Sequence, residues 1–144
     1  NDINVLEFNC RFGDPETQPI LMRMQSSLVE LCNAAIRNKL SDHKVIWHKE
    51  HACGVVIAAD GYPSNYKTGQ KINLNISETN QMKVFHAGTK RDGNDIVTSG
   101  GRVLCATALG DNLKYAKQNA YKLVDKINFK GMHFRKDIGN KGIS

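Results

Sequence analysis

An almost unbroken run of small apolar residues at positions 52–59 constrains the fold of this chain more than any other feature. A run of this length, made of Ala, Cys, Gly, Val and Ile and bounded by turn residues, is typical of a central buried strand. Residues 60–63 (Asp-Gly-Tyr-Pro) end the run, because Gly and Pro interrupt regular structure. The sequence therefore predicts a sheet in which residues 52–59 form a central strand.

The segments after this run predict several more strands. Residues 71–76 alternate polar and apolar side chains, as a strand with one solvated face does. Residues 84–89 and 102–109 are largely apolar and are also predicted strands. Between these two, the Asp-Gly pair at 92–93 favours a tight hairpin turn.

Two amphipathic helices flank the predicted strands. The first begins at Ser27, which has the capping-box spacing to Glu30, and is expected to end near Lys39. Its apolar positions recur at helical spacing: Leu28, Leu31, Cys32, Ala35 and Ile36. The second helix is capped by Asp111 or Asn112. Its apolar stripe consists of Leu113, Ala116, Ala120, Leu123, Val124 and Ile127. Several strands followed by a strand–helix unit predict an α+β fold, with antiparallel strands and one amphipathic helix after residue 44.

The composition excludes a membrane-spanning protein and gives no sign of secretion. No apolar stretch approaches the roughly 20 residues that a membrane span needs, and the first residues lack a signal peptide pattern. The four cysteines, at positions 10, 32, 53 and 105, show no Cys-x-x-Cys spacing and lie among apolar or small residues. We therefore predict reduced, buried thiols in a cytoplasmic protein, with two disulfides as the alternative.

The positive charge is concentrated at the C-terminal end. The formal net charge is +6, and residues 101–144 account for it with nine Lys and Arg against three Asp. Such a tail is compatible with a nucleic-acid surface, a solvated helix face or a seat for a phosphorylated small molecule. The lysines surround the apolar stripe of the second helix, which favours the solvated face, and no nucleic-acid partner is predicted.

A possible metal site lies near the N-terminus, where residues 3–8 are predicted to form a buried strand. Glu7 and Asn9 are two residues apart, so on a strand they point to the same face. A carboxylate and an amide oxygen are ligands that Mg²⁺ accepts beside nucleotide phosphates. The alternative is a strand-end Glu paired with a nearby Arg. Arg11 follows at the next alternate position, where it can clamp a phosphate or pair with a neighbouring acidic residue.

Residues 7–18, with the sequence EFNCRFGDPETQ, resemble the signature of the phosphoribosylamine–glycine ligase family, also called glycinamide ribonucleotide synthetases. Five further regions resemble the same family in the same order: 54–63, 84–89, 100–104, 107–110 and 135–139. These enzymes belong to the ATP-grasp superfamily and act in purine synthesis. The resemblance covers nearly the whole chain but only the C-terminal part of the family's enzymes.

The resemblance implies a specific reaction. The family uses ATP to convert glycine to glycyl phosphate, which 5-phosphoribosylamine attacks to give glycinamide ribonucleotide, ADP and phosphate. It implies that Glu7 and Asn9 bind Mg²⁺ or Mn²⁺ with ATP and that Arg11 steadies the transferring phosphoryl group. It also implies that residues 1–44 end an ATP-grasp domain, with its final strand and helix, and that residues 45–144 form the C-terminal domain. The missing N-terminal part of the same protein would be its partner, and this chain alone is expected to be inactive.

Two groups of residues in the C-terminal part of the chain are candidates for binding the ribose phosphate. Gly100, Gly101 and Arg102 are able to bring backbone N–H groups and a guanidinium to a phosphate, or simply to start a strand with Arg102 in water. Arg135 and Lys136 are candidates for the same phosphate, or for ion pairs with Asp137. Two other functions stay open at this point: a stand-alone basic nucleic-acid-binding module, and an ATP-grasp ligase with another amine acceptor.

Overall fold

The computed structural model describes residues 4–143, which form three α-helices, eight strands and two single-turn 3-10 helices. In chain order the elements are α1 (Thr17–Arg23), α2 (Leu28–Ile36), β1 (His51–Ala58), β2 (Asn73–Leu74), β3 (Met82–His86), β4 (Thr89–Asp92), β5 (Asp95–Thr98), β6 (Arg102–Gly110), α3 (Leu113–Val124), β7 (Ile127–Asn128) and β8 (His133–Phe134). The 3-10 turns span Leu40–Asp42 and Asn140–Gly142. The predicted α+β class with antiparallel strands is confirmed. Among the helices of residues 4–143, none combines the length with the apolar composition that crossing a bilayer demands.

A four-stranded antiparallel sheet organises the fold, in the order β3-β6-β1-β8. The strand predicted from residues 52–59 is β1, and it lies between β6 and β8. Its pairing with β6 places Gly54 opposite Thr107 and Val55 opposite Ala106. Because side chains alternate along a strand, this register puts Val55 and Ala106 on one face and Gly54 and Thr107 on the other.

The main core lies between the sheet and α3. From β1 it receives Cys53, Val55 and Ile57, and all three are buried. The facing side of α3 supplies Ala116, Ala120, Leu123 and Val124, as the apolar stripe predicts. Ile127 is also buried, but it belongs to β7 because α3 ends at Val124. The alanines let the helix backbone approach the sheet closely, since they carry only a methyl group.

The opposite face of the sheet is covered by α1. A Cβ built at Gly54 would lie 3.4 Å from Pro19 Cδ, 3.3 Å from Cys105 Sγ and 3.4 Å from Thr107 Oγ1. The glycine therefore leaves room for Pro19 at the start of the helix. This contact brings the segment before residue 44 onto the sheet formed by the later residues.

Shorter ladders complete the fold. The predicted hairpin is confirmed as β4–β5, and Gly93 in its turn has a φ of 57°, which favours glycine. The predicted strand at 71–76 is shorter than expected, because only Asn73–Leu74 pairs with β7 as a strand. Residues 84–89 do not form one strand, since β3 ends at His86 and a new strand begins at Thr89.

The predicted strand at residues 3–8 is wrong for the part that the structure describes. Residue 3 lies outside the described residues, and residues 4–10 have no regular structure. Leu6 is 96% exposed and Phe8 is 87% exposed. A strand forms only where a neighbour takes up its backbone hydrogen bonds, and none of the described strands lies beside this segment.

The helix α2 begins as predicted but ends early. The Ser27 hydroxyl accepts a hydrogen bond from Glu30 N at 3.3 Å. The helix ends at Ile36 rather than near Lys39, because Asn38 adopts a left-handed conformation with φ 55°. The predicted apolar stripe is not a buried face, since the buried residue of this helix is Ala34 and Ile36 is 80% exposed.

The four cysteines are free thiols, but only two of them are buried. Cys53 and Cys105 lie in the interior, where burial raises the pKa of both thiols. The prediction of burial is wrong for Cys10 and Cys32, which are exposed. Cys10 lies in the segment without regular structure, and Cys32 lies on α2, most of whose surface is uncovered.

Alkylation with iodoacetamide at pH 8 should therefore separate the thiols into two pairs. Cys10 and Cys32 are expected to react in the folded chain, whereas Cys53 and Cys105 react only after unfolding, because a buried and protonated thiol is a poor nucleophile. Mass spectrometry of peptides from folded and urea-unfolded chain measures this. Equal labelling of all four thiols in the folded chain would contradict the burial pattern.

Candidate functional site

The N-terminal segment and the start of α1 enclose an open cavity of about 420 Å³. Four of the candidates predicted from the sequence line it: Glu7, Asn9, Arg11 and Arg102. The remaining lining residues are Gly13, Asp14, Pro15 and Glu16. Three carboxylates and two guanidinium groups therefore share one polar cavity.

Glu7 and Asn9 are in direct contact at this cavity. Asn9 Nδ2 donates a hydrogen bond of 3.1 Å to Glu7 Oε1, and both side chains are exposed to solvent. The two residues do not belong to a strand, so the alternation from which a common face was predicted does not apply, and they meet through this hydrogen bond instead. This bond uses the amide nitrogen of Asn9 and one carboxylate oxygen of Glu7, and it leaves the amide oxygen of Asn9 and the other carboxylate oxygen of Glu7 outside it.

The turn beneath these residues is held by Gly13 and Glu16. Glu16 Oε1 accepts a hydrogen bond of 2.9 Å from Gly13 N, while Gly13 O accepts from Thr17 N at 3.0 Å and from Thr17 Oγ1 at 2.6 Å. A Cβ at Gly13 would lie only 2.3 Å from Glu16 Oε1. The carboxylate of Glu16 and a side chain at position 13 therefore compete for the same space.

The two arginines of the cavity have different partners. Arg102, at the start of β6, forms an ion pair with Asp14 (NH2 to Oδ2, 3.0 Å), so it does not simply face water. This pair ties the loop to the sheet. Arg11 NH1 donates to Phe12 O at 3.0 Å. Among the described residues the structure records no ion pair between Arg11 and Asp14 or Glu16, which was the alternative explanation of Arg11.

A second cavity, of about 360 Å³, lies next to the first and shares Pro15 with it. Its walls are mainly apolar and come from β1, β8 and the segment after β8. The lining residues are Pro15, Gly54, Val56, Ala58, Tyr62, His133, Phe134, Arg135 and Ile138. Arg135 and His133 are the basic residues of this mainly apolar lining, and both are exposed overall.

Arg135 is held in a two-point ion pair with Asp137. Its Nε donates to Asp137 Oδ1 at 2.9 Å and its NH2 donates to Oδ2 at 2.6 Å. Hydrogen bonding to Arg135 lowers the pKa of Asp137, and the same bonds raise the pKa of Arg135. This is the ion pair named above as the alternative for Arg135. The neighbouring Lys136 is exposed.

Gly100 and Gly101 serve close packing where the sheet begins. A Cβ at Gly101 would lie 2.1 Å from Tyr62 Cδ2, and Gly101 O accepts a hydrogen bond of 2.8 Å from Ala59 N. A Cβ at Gly100 would lie 3.1 Å from Gly88 Cα. The structure thus brings Arg102 to the first cavity but places Gly100 and Gly101 outside the lining of both cavities.

Comparisons with known proteins identify the family of this chain. A family model described as "Phosphoribosylglycinamide synthetase, C domain" matches residues 52–141, well over half of the chain. The chain belongs to the phosphoribosylglycinamide synthetase family. The matched region begins at the second residue of β1 and ends within the last 3-10 turn, so it contains α3 and all of the four-stranded sheet except His51. Membership of this family does not favour the nucleic-acid-binding alternative.

Several relatives of the phosphoribosylglycinamide synthetase family extend the match toward the N-terminus. The phosphoribosylamine–glycine ligase of Vibrio cholerae serotype O1 is 55% identical over 97% of this chain, and that of Yersinia pestis is 53% identical over 97%. Each match covers 33% of the relative. The crystal structure of the Thermotoga maritima phosphoribosylamine–glycine ligase is 33% identical, with a TM-score of 0.74 over 92% of this chain and 32% of that chain. The chain therefore spans about a third of the length of these relatives.

Some residues of the site were not found from the sequence. The pairing of Asp14 with Arg102 is not marked by any sequence pattern. Tyr121, on α3, contacts the backbone of residues 135 and 138, which line the second cavity. No motif marks these contacts, because each joins residues that are distant in sequence.

Proposed function

We propose that this chain is the C-terminal part of an ATP-dependent ligase that joins glycine to 5-phosphoribosylamine. Its products would be glycinamide ribonucleotide, ADP and phosphate, in purine synthesis. One observation carries the proposal: Glu7, Asn9 and Arg11 meet in one cavity, on a chain that aligns over 97% of its length with phosphoribosylamine–glycine ligases. A cytoplasmic location belongs to the same proposal, and the four free thiols are in keeping with it.

The domain assignment is part of the proposal. Residues 1–44 would be the end of an ATP-grasp domain and residues 45–144 the C-terminal domain. The family model begins at residue 52, which is in keeping with a boundary shortly before it. Exposed apolar side chains at Val5, Leu6 and Phe8 are also in keeping with a segment that is covered by the remainder of a longer protein.

The oxygens of Glu7 and Asn9 fit Mg²⁺ or Mn²⁺ held together with a nucleotide. Both are hard oxygen donors, and Mg²⁺ is commonly bound by one or two carboxylates together with substrate phosphates. Within residues 4–143 there is no group of three or more His, Cys, Asp or Glu side chains that could hold a metal ion. When bound, the ion would be held by the oxygens of Glu7 and Asn9 and would supply positive charge that neutralises the nucleotide phosphates.

The chain's own residues would then position the metal ligands and stabilise the charge on the transferring phosphoryl group. Glu7 and Asn9 fix each other through their hydrogen bond, and the Asp14–Arg102 pair holds the loop that carries them against β6. Arg11 lines the same cavity, so its guanidinium is placed to balance negative charge as the phosphoryl group moves. A glycine carboxylate oxygen attacks the γ-phosphorus of ATP and ADP leaves. The ribosylamine nitrogen then attacks the carbonyl carbon, loses a proton and expels phosphate.

The second cavity is our candidate for the phosphoribosyl group. Tyr62 and His133 are lining side chains able to hydrogen-bond the sugar hydroxyls, and Arg135, with Lys136 next to it in sequence, suits the phosphate. Because the two cavities share Pro15, a substrate bound in the second would lie next to the first. Arg102 remains a candidate phosphate ligand from the first cavity. For Gly100 and Gly101 the close contacts with Gly88 and Tyr62 support a role in packing β6.

A turnover assay on the full-length protein tests the proposal. We expect release of ADP and phosphate only when glycine and 5-phosphoribosylamine are both present, with one glycinamide ribonucleotide formed per ATP. The 144-residue chain alone is expected to form none. Release of ADP and phosphate at the same rate without glycine or without 5-phosphoribosylamine would contradict the proposal. Product formed by the 144-residue chain alone would contradict it as well.

A further inference from the structure

Tyr121 links α3 to the segment that lines the second cavity. Its hydroxyl donates a hydrogen bond of 2.6 Å to Arg135 O and accepts one of 3.3 Å from Ile138 N. Burial raises the pKa of Tyr121, so the hydroxyl stays protonated and able to donate near neutral pH. One side chain therefore holds both ends of the turn that contains Arg135, Lys136 and Asp137.

The helix that carries Tyr121 is firmly seated. Asn112 Oδ1 caps its first turn by accepting from Tyr115 N at 3.0 Å, and Asn119 Nδ2 donates to Leu109 O on β6 at 3.1 Å. Its apolar side is buried against the sheet, as described above. Lys117, one turn before Tyr121, also donates to Asn140 Oδ1, and its ammonium lies 5.7 Å from the Tyr121 ring centroid. Tyr121 is thus a fixed point against which the turn is held.

The turn that Tyr121 holds carries Arg135, a lining residue of the second cavity whose guanidinium is largely exposed and paired with Asp137. Arg135 and Ile138, whose backbone atoms bond to the hydroxyl, are both lining residues of that cavity. Phe134, another lining residue, packs against the Tyr121 ring at a centroid distance of 6.2 Å. Within the turn, the Asp137 carboxylate fixes the Arg135 guanidinium at two points. Displacement of the turn would therefore move the guanidinium relative to the cavity.

We propose that Tyr121 is a positioning residue for the phosphoribosyl substrate, acting through the backbone of Arg135 and Ile138; this rests on the proposed function of the second cavity. Its hydroxyl sets the position of the Arg135 turn, and the guanidinium then meets the substrate phosphate without prior reordering. Preorganisation of this kind strengthens binding because less freedom is lost when the ligand arrives.

Replacing Tyr121 with Phe in the full-length protein tests the inference. The ring and its packing on Phe134 are kept, and only the two hydrogen bonds are lost. We expect the KM for 5-phosphoribosylamine to rise about tenfold, while the KM for ATP and kcat change by less than about twofold. The matched control is Tyr115→Phe, an exposed tyrosine on the same helix, which should leave all three parameters unchanged.

A purely structural role for Tyr121 predicts a different result. It would lower the melting temperature or the active fraction and would leave the ratio of the two KM values unchanged. That result, or the same shift from Tyr115→Phe, would overturn the inference.

Binding of ribose 5-phosphate, measured by calorimetry, separates this inference from the proposed function because it needs no turnover. We expect the full-length protein to bind ribose 5-phosphate and Tyr121→Phe to bind it about tenfold more weakly. Equal affinity of the two proteins, or no binding by the unsubstituted protein, would overturn the positioning role. Failure of the unsubstituted protein to form product despite such binding would instead count against the proposed ligase activity.

Discussion

Replacing Glu7 with Gln in the full-length protein is expected to lower the magnesium-dependent kcat/KM for ATP by on the order of 10²-fold or more. Gln has nearly the same shape and is still able to accept the hydrogen bond from Asn9 Nδ2, so the local geometry is preserved. The substitution removes one negative charge from the pair of oxygens offered to the cation. Since Glu7 is exposed and makes no contact with the core, folding should not change.

A titration of magnesium at fixed ATP distinguishes loss of the cation from loss of the fold. Glu7→Gln should raise the half-saturating concentration of Mg²⁺ and leave the melting temperature unchanged. The matched control is Glu30→Gln, the same substitution at an exposed site on α2 outside the first cavity. Near-normal turnover of the Glu7 variant at every magnesium concentration would remove the basis for assigning the metal to this cavity.

Replacing Leu104 with Ala is expected to lower the free energy of unfolding of this chain by about 2–5 kcal/mol. Leu104 is 1% exposed and belongs to the core between the sheet and α3. It lies on β6 between partners on both sides, opposite Ile57 of β1 and His86 of β3. Truncation would leave a cavity that the surrounding strands cannot close, so a loss of transfer free energy and a loss of packing add together.

The same substitution at Leu6 provides the control, because that side chain is almost fully exposed. Leu6→Ala should change the free energy of unfolding by less than about 0.5 kcal/mol. Urea unfolding followed by circular dichroism measures both variants against the unsubstituted chain. If the two variants were destabilised equally, the core would not lie where the sheet and α3 place it.

The elements that were predictable from sequence are mainly those whose apolar side chains pack against other elements of the described chain. Both β1 and β6 are continuous apolar runs because each is covered by helices on both sides, by α1 and by α3. The α3 helix was predictable because its stripe meets the sheet and Asn112 caps it, as the residue type suggests. The hairpin at Gly93 followed from local turn chemistry alone.

The predictions of a buried face that failed concern segments whose apolar residues lie largely in solvent among residues 4–143. The segment containing Val5, Leu6 and Phe8 has the composition of a strand, but no neighbouring strand is available to pair with it. The α2 stripe, which includes Cys32 and Ile36, has helical spacing but lies largely in solvent. Composition and periodicity report what a segment is able to bury, and only tertiary contacts decide whether it is buried.

The candidate site was predictable only where its residues are neighbours in sequence. Glu7 and Asn9 meet through a hydrogen bond, but not through the strand from which their common face was predicted. The pairing of Asp14 with Arg102 and the bond from Tyr121 to Arg135 join different elements. Such contacts depend on how the loop, the sheet and α3 pack, and no local pattern encodes that packing.

A structure of the full-length protein with Mg²⁺ and a non-hydrolysable ATP analogue would locate the cation directly. We predict that a carboxylate oxygen of Glu7 and the amide oxygen of Asn9 both lie within about 2.1 Å of the ion, the usual Mg²⁺–oxygen distance. Phosphate oxygens of the nucleotide should complete the coordination. An ion bound by other residues, with both of these oxygens more than about 4 Å away, would contradict the assignment of Glu7 and Asn9 as its ligands.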